Sequence, residues 1–422
     1  MRFHLIYPKW EKLPGQTTFH LPPHGPVVFA ASLPAYVDVH FTDENVEEIL
    51  FDDTVDFVGI SMMLTTQVKR GWEIASRYRK LGKKVIFGGI STMLHAEETM
   101  QHADAVFLGE SEGKMQEVFD DFRNNRLKKV YNFLNDLPDI SIVGSARRNI
   151  LNDALYYHKG TRMVDLFHAS RGCRYDCYPC AVSYLGGRKF RPRPIDKSIE
   201  ELAGINNNRV FIVDNSLACD TQWEKDLFKE MIPLKKNWCS HTIEDDPQVL
   251  DLAAQAGAWY VYQAIFDTSD YIKERIKRYH DYGIAVEGTI LLGLDDHTED
   301  SIKKLIDFLL EINLDLAEFT VLTPFPQTRA YSDLFNQNRI FDFDWNHYNA
   351  GKVVYHPKNI SVEKLQQLYH YAWETFYQNE SQNAKMFKLF MKVINKEIDN
   401  GTYKPRSKSV AGKSFGRDII RD

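Results

Sequence analysis

Several things are scarce in this sequence, and each scarcity excludes a class of protein. No uncharged apolar run approaches the roughly 18–20 residues that a membrane-crossing helix needs. There is no excess of positive charge. Lys and Arg total 52 against 58 Asp and Glu, a formal net charge of −6. A nucleic-acid protein would usually carry a basic domain or stripe, so no nucleic-acid partner is expected. The opening MRFHLIYPKWEK lacks the apolar core and small-residue cleavage site of a secretory signal, which points to a cytoplasmic protein. Internal repeats and low-complexity segments are missing. Cysteine is rare, five in 422 residues, and three of the five fall within eight residues. A disulfide framework would be spread out and would suit a small secreted chain. A tight triplet reads instead as a metal or cluster site.

The length exceeds one ordinary core, so two or three domains are expected. Residues 1–130 alternate strand and helix patterns. Phe3–Tyr7, Val37–Phe41, Val58–Met62, the run from Lys84 to Gly88-Gly89, and Ala103–Leu108 read as strands. Val68–Leu81 and Gly113–Arg123 read as helices. Such alternation predicts a doubly wound, Rossmann-like parallel sheet of the α/β class. Ligands of such sheets bind outside the carboxyl ends of the strands. Ser61, Gly88, Gly89, Gly109 and Glu110 fall there. Residues 131–160 read as a connector. Residues 161–350 hold a second α/β series, a partial or full barrel. Its strands are Met163–His168, Val210–Val213, Trp259–Ala264, Ala285–Leu292 and Leu316–Leu322. Residues 351–422 read as a helical region, with one helical pattern over Val362–Lys396 and a polar tail from Thr402.

The cysteine triplet lies just after a predicted strand: Ser170-Arg-Gly-Cys173-Arg-Tyr-Asp-Cys177-Tyr-Pro-Cys180. Three thiolates on one loop can hold three irons of a 4Fe–4S cube and leave the fourth iron open, where electron-transfer ferredoxins supply four cysteines per cluster. A zinc site would need a fourth ligand at suitable spacing. Cys219, Cys239 or a histidine could supply it, although none forms an obvious second pair.

This loop resembles the signature of the radical S-adenosylmethionine superfamily, and the likeness spans most of the chain. The cobalamin-binding branch is similar at Leu21-Pro-Pro-His-Gly25, Asp56-Phe-Val-Gly-Ile-Ser61, Gly82–Gly89 and Ala103–Glu110. Further pieces are Phe190-Arg-Pro-Arg193, Val213-Asp-Asn215, Leu291–Asp296 and Leu322-Thr-Pro-Phe-Pro326. The resemblance implies three cofactors: a 4Fe–4S cluster on Cys173, Cys177 and Cys180, S-adenosylmethionine chelating the open iron, and cobalamin in the front domain. One-electron cleavage of S-adenosylmethionine would yield a 5′-deoxyadenosyl radical. The expected activity is methyl transfer to an unactivated carbon of a small-molecule substrate, with a reducing partner such as a flavodoxin or ferredoxin. A non-methylating radical enzyme, performing ring formation, oxidation or rearrangement, and a catalytically altered cofactor-binding member are the alternatives.

Particular residues acquire roles from that resemblance. Ser61, Thr65 and Thr66 offer hydroxyls to the amide side chains of cobalamin, and Gly88 and Gly89 allow close approach. The nearest match to a cobalt-ligating D-x-H-x-x-G is Asp38-Val-His40-Phe-Thr-Asp43, where His40 reads as an ordinary strand histidine. The lower cobalt face is therefore expected to lack a histidine. Relatives usually have an aromatic residue before the third cysteine. Here Pro179 stands there, with Tyr178 one step earlier as the substitute adenine contact. A ribose-binding glutamate is missing from Tyr260–Asp267, leaving Gln263 or Asp267 as substitutes, or a remodelled site. Asp214 and Asn215 read equally as cofactor contacts or a turn. Gly288 reads as a place for close approach of the adenosyl group or as a strand bulge. Arg188, Arg191 and Arg193 read as anion-recognising groups or a solvated basic stretch.

Overall fold

The computed structural model describes residues 1–13, 16, 19–158, 160–186 and 188–403. The predicted polar tail lies, from residue 404 on, outside the described residues.

The front unit is one parallel sheet. Its strands are β1 (Arg2–Tyr7), β2 (Asp38–Asp43), β3 (Phe57–Ser61), β4 (Lys84–Gly88), β5 (Ala105–Leu108) and β6 (Val130–Asn132), in the order β2-β1-β3-β4-β5-β6. Period-2 alternation sends Phe3, Leu5, Phe57, Ile86 and Phe107 to one face and Ile6, Val58, Ile60, Val85 and Phe87 to the other. Helices cover both faces. On the first, α1 (His24–Ala31) and α5 (Met115–Arg123) contribute Phe29, Met115, Val118 and Phe119. On the second lie α2 (Val68–Lys80), α3 (Ile90–Leu94) and α4 (Ala96–His102). α2 buries Val68, Gly71, Ile74, Ala75 and Tyr78, the spacing of one helical stripe, and carries Arg77, Arg79 and Lys80 in its last turn, where cations suit the dipole. The strand order reverses between β1 and β3, which opens a crevice at their carboxyl ends.

Residues 133–156 run through short 3₁₀ turns. A small hairpin follows, β7 (Tyr157–His158) with β8 (Thr161–Arg162). The second unit is a partial barrel of six parallel strands. These are β9 (Asp165–Phe167), β12 (Arg209–Ile212), β13 (Asn237–Ser240), β14 (Ala258–Ala264), β15 (Ala285–Leu292) and β16 (Leu316–Val321), each beside the next. The ribbon β10 (Ser170–Arg171) and β11 (Arg191–Pro192) brackets the cysteine loop and the short α6 (Val182–Gly186). The outer strand face packs under α7 (Ile195–Gly204), α8 (Thr221–Met231), α9 (Pro247–Gln255), α10 (Asp270–Asp281) and α11 (Glu299–Glu311). β13 escapes a sequence reading because Asn237-Trp-Cys-Ser240 has no apolar run, although all four residues are buried.

The predicted C-terminal helical region holds two successive helices. After α12 (Arg329–Asn336), α13 (Val362–Phe376) starts at a Ser361 cap, and α14 (Gln382–Asp399) restarts at a Ser381 cap. α13 buries Leu365, Leu368, Tyr369, Ala372 and Phe376 against the barrel. α14 closes the lower end of the inner face. There buried Glu397 accepts from Arg209 and from Asn237 Nδ2 (3.3 Å).

Candidate functional site

A cavity of about 380 Å³ lies between the two units. Ser61, Gly88, Gly89, Gly109 and Glu110 line it from strand ends of the front sheet, as the sequence suggests. His168, Ser170, Arg171, Asp214 and Asn215 line it from the barrel. An apolar arm runs deeper beside Phe3, Leu5, Phe107 and Phe119. A Cβ at Gly88 would meet nothing within 4 Å. Gly89 has φ +90°, and a Cβ there would strike the Met62 carbonyl oxygen at 2.5 Å, so only glycine fits this turn.

Ionic and polar contacts tie the cavity's two walls together. Arg171 donates to Glu110 (2.8 Å) and to Glu112 (2.6 Å), and Arg191 pairs with Glu110. Burial pushes Glu110 up, but Arg191 and Arg171 outweigh it and hold the carboxyl below its usual range. Arg193 donates to the His168 carbonyl oxygen (2.8 Å) and pairs with Glu201 (2.8 Å), both side chains being fully buried. Arg188 pairs with Asp176. All three arginines after the cysteine loop thus meet carboxylates of this chain; Arg191 and Arg193 are buried, whereas Arg188 stays open to solvent.

Nearby, His24 Nε2 and His168 Nδ1 share a hydrogen bond of 2.8 Å across the two units. Burial first, then Arg148, Arg171 and Arg193, lowers the pKa of His24 to about 3, and His168 falls well below its usual value. Both rings are therefore neutral at pH 7. The outer nitrogens, His24 Nδ1 and His168 Nε2, are buried and lack a partner among the described residues.

Asp214 accepts from the Ala169 amide (2.8 Å) and from the Ser170 hydroxyl. It thereby fixes the chain just before the cysteine loop. Burial raises its pKa to about 7 against the pull of those donors. Cys173 is half-buried, whereas Cys177 and Cys180 are exposed. The Cys180 amide donates to the Cys177 carbonyl oxygen (2.9 Å), and the Val182 amide to Cys180 Sγ (3.5 Å). Cys173 and Cys219 lie against each other, and their mutual hydrogen bond raises the Cys173 thiol and lowers that of Cys219. Cys219, which the sequence offers only as a possible fourth ligand of a zinc site, thus sits against the triplet.

Other predicted contacts are placed elsewhere. Thr65 is buried beside His95 (3.3 Å), and neither it nor half-buried Thr66 lines the cavity. Gln263 faces outward, donating to Tyr279 Oη (2.6 Å), which donates to the Ile243 carbonyl oxygen. Gly288 also faces outward, where a Cβ would strike Ile265 and Leu314 at 2.8 Å. These two positions serve strand–helix packing, because neighbouring residues on a strand point to opposite faces. Tyr178 is exposed on the cysteine loop, outside the cavity lining. His40 is an exposed strand residue packed on His4, away from the cavity.

The B12 binding domain family matches residues 17–119. The bacteriochlorophyllide d C-12(1)-methyltransferase of Chlorobaculum tepidum is 26% identical over 364 residues, 80% of this chain and 79% of that protein. The C-8(2)-methyltransferase of the same organism is 27% identical, over 75% of this chain and 76% of its own length. Over three-quarters or more of its length the chain is thus similar to these two methyltransferases, and its front unit matches the B12 binding domain family. The methyltransferase TsrM from Kitasatospora setae, solved with cobalamin and a 4Fe–4S cluster bound, shares its fold with this chain. Its TM-score is 0.63 at 14% identity, covering 80% of this chain and 78% of that one.

The residues present fit cobalamin and a three-cysteine cluster. Strand-end glycines leave a cradle that side chains would fill, and the two orphaned histidine nitrogens give the cavity polar atoms for a ligand to satisfy. At the cysteine loop, three thiols share one turn and two are open to solvent. Among the described residues, no three His, Cys, Asp or Glu side chains are gathered in advance as a metal site. The loop's ends are fixed instead, by the β10–β11 pairing and by Gly172, whose Cβ would strike the Lys189 carbonyl oxygen at 2.2 Å. Among the described residues, no helix is long and apolar enough to cross a membrane.

Proposed function

We propose that this chain is a cobalamin-dependent methyltransferase acting on an unactivated carbon of a small molecule. The observation that carries this reading is the single cavity lined by the front sheet's strand ends and by the segment leading into the cysteine loop. The bound cofactors would supply a carbon-centred radical and a transferable methyl group; the protein orients them and excludes water. Ser61, Gly88, Gly89 and Gly109 cradle cobalamin. Cys173, Cys177 and Cys180 hold the cluster, and Asp214 sets the start of their loop. Glu110 anchors the loop through Arg171 and Arg191. The bacteriochlorophyllide methyltransferases support methylation through their similarity over three-quarters or more of the chain. A reducing partner such as a flavodoxin or ferredoxin and a cytoplasmic setting belong to the same proposal.

Anaerobic turnover of the iron–sulfur-reconstituted protein tests it, with methyl-labelled S-adenosylmethionine, a strong reductant and cobalamin. Label in a product is expected, together with 5′-deoxyadenosine and with S-adenosylhomocysteine that depends on cobalamin. Deoxyadenosine without S-adenosylhomocysteine would replace methylation with another radical reaction.

A further inference from the structure

The inner face of the partial barrel carries chemistry that none of the cofactor contacts uses. Along β14, β15 and β16, alternation points Tyr260, Tyr262, Ala285, Glu287, Thr289, Leu316, Glu318 and Thr320 into the bore. Exposure grades along it. Tyr260, Ala285, Glu287 and Leu316 are buried near the floor, Tyr262, Glu318, Thr289 and Thr320 are half-buried above them, and Ala264 is exposed at the mouth. The bore therefore opens at the strands' carboxyl ends, on the side of the cysteine loop.

Glu287 and Glu318 stand on adjacent strands. Glu287 pairs in register with Leu316 and Glu318 with Thr289, so the carboxyls are diagonal neighbours on one face. Glu287 is 3% exposed, yet it has no hydrogen bond or ion pair among the described residues, and Glu318 has none either. Burial pushes both carboxyls up, Glu287 further because Glu318 is close. Basic groups that could answer them are engaged elsewhere. Arg209 on β12 pairs with Glu397. Lys385 on α14 donates to the Asp315 carbonyl oxygen, and His241 on the segment after β13 to the Asp214 carbonyl oxygen (2.6 Å).

Aromatic faces complete the wall. The Phe211 and Tyr262 rings stack at 5.7 Å, His241 meets both at 5.4 and 5.6 Å, and Tyr260 meets Tyr262 edge-on at 5.0 Å. The Tyr260 hydroxyl, on a residue only 2% exposed, has no partner among the described residues. Leaving buried polar groups unpaired is costly, and buried charges in folded proteins are normally matched. Carboxylates beside aromatic faces form the arrangement that takes an organic cation.

We infer that the barrel bore recognises a protonated amine on the substrate, held between Glu287 and Glu318 and against the Phe211–Tyr262 wall. This rests on the reading that a small-molecule substrate enters that bore. The ammonium supplies the charge the two carboxyls lack and a donor for the Tyr260 oxygen. Glu287 and Glu318 are specificity-determining residues on this account.

The test compares three probes of one shape with the cobalamin-loaded full chain: phenethylammonium, phenethyl alcohol and 3-phenylpropanoate. Binding is read by ligand-observed NMR. The ammonium is expected to bind about tenfold more tightly than the alcohol, with the carboxylate weaker still. In Glu287→Gln/Glu318→Gln this preference falls to within about twofold, while the visible spectrum of bound cobalamin is unchanged. An ammonium that binds no better than the alcohol in the wild-type protein overturns the inference, and so does a preference that survives the double substitution. The wild-type comparison stands even if the variant folds poorly. Failure here leaves labelled methyl transfer intact, whereas a cation-selective protein that never methylates would overturn the function and keep the bore.

Discussion

Asp214 is a carboxyl buried among donors, and its protonation is tied to the fold. Its pKa rises from 3.8 to about 7 on folding, so between those values the native state binds more protons than the unfolded one. By linkage, stability then falls as pH rises through that window. Asp214's contribution is fully favourable below about pH 4, is lost progressively toward pH 7, and is constant above it. The whole change is at most about 4 kcal/mol. Comparing thermal melts of wild type and Asp214→Asn across pH 4–8 checks this. The difference in stability between the two should shrink with rising pH, and a difference that stays flat would refute it. Cys219 invites a second residue-level test, since it touches Cys173. Three thiolates suffice for a cluster with an open iron. Cys219→Ser is therefore expected to keep about 4 irons per chain after reconstitution, whereas Cys173→Ser, Cys177→Ser and Cys180→Ser each lose most of them. Iron loss in Cys219→Ser would make it a ligand.

Among the elements, the β10–β11 ribbon joins the cysteine loop to the front sheet. Arg171 and Arg191 occupy its two strands, and both reach Glu110 at the end of β5. Removing the acids leaves two largely buried guanidiniums unpaired, a loss of about 2–4 kcal/mol. Glu110→Gln/Glu112→Gln is expected to expose residues 133–156 to limited proteolysis and to weaken cobalamin binding about tenfold or more. Unchanged proteolysis would mean that the clasp does not set the spacing of the units. The same elements mark what sequence can and cannot disclose. Strand–helix alternation and the glycine-ended strands of the front sheet are readable, because turn glycines and apolar runs are local signals. Gln263 and Gly288 are misread as cavity residues for a physical reason. Parallel strands are buried on both faces, so hydrophobicity does not say which residues point inward. Glu287 and Glu318 were nonetheless legible as isolated carboxylates within Ala285–Leu292 and Leu316–Val321, a signal that attention to the missing ribose glutamate passes over. The His24–His168 and Arg171–Glu110 contacts join residues 144 and 61 apart, distances at which no local pattern speaks.

At the scale of the molecule, the two units share their ligand space, so ligand binding and unit coupling are one equilibrium. A cofactor seated in the cavity touches both the front sheet and the barrel segment at His168–Arg171. Anything that binds only the native state stabilises it by mass action, by about 2.7 kcal/mol at one hundred times Kd. If the clasp and the histidine pair transmit that stabilisation, cobalamin should raise the melting of the barrel as well as the front sheet, by roughly 3 °C in one shared transition. In Glu110→Gln/Glu112→Gln the link is cut. Scanning calorimetry should then resolve two transitions, of which only the lower-residue unit responds to cobalamin. Two transitions in the wild type, with only one shifting, would mean that the cavity belongs energetically to the front sheet alone. The barrel's approach to cobalamin would then be set by S-adenosylmethionine or substrate, and the Arg171–Glu110 and His24–His168 contacts would be consequences of docking rather than its cause.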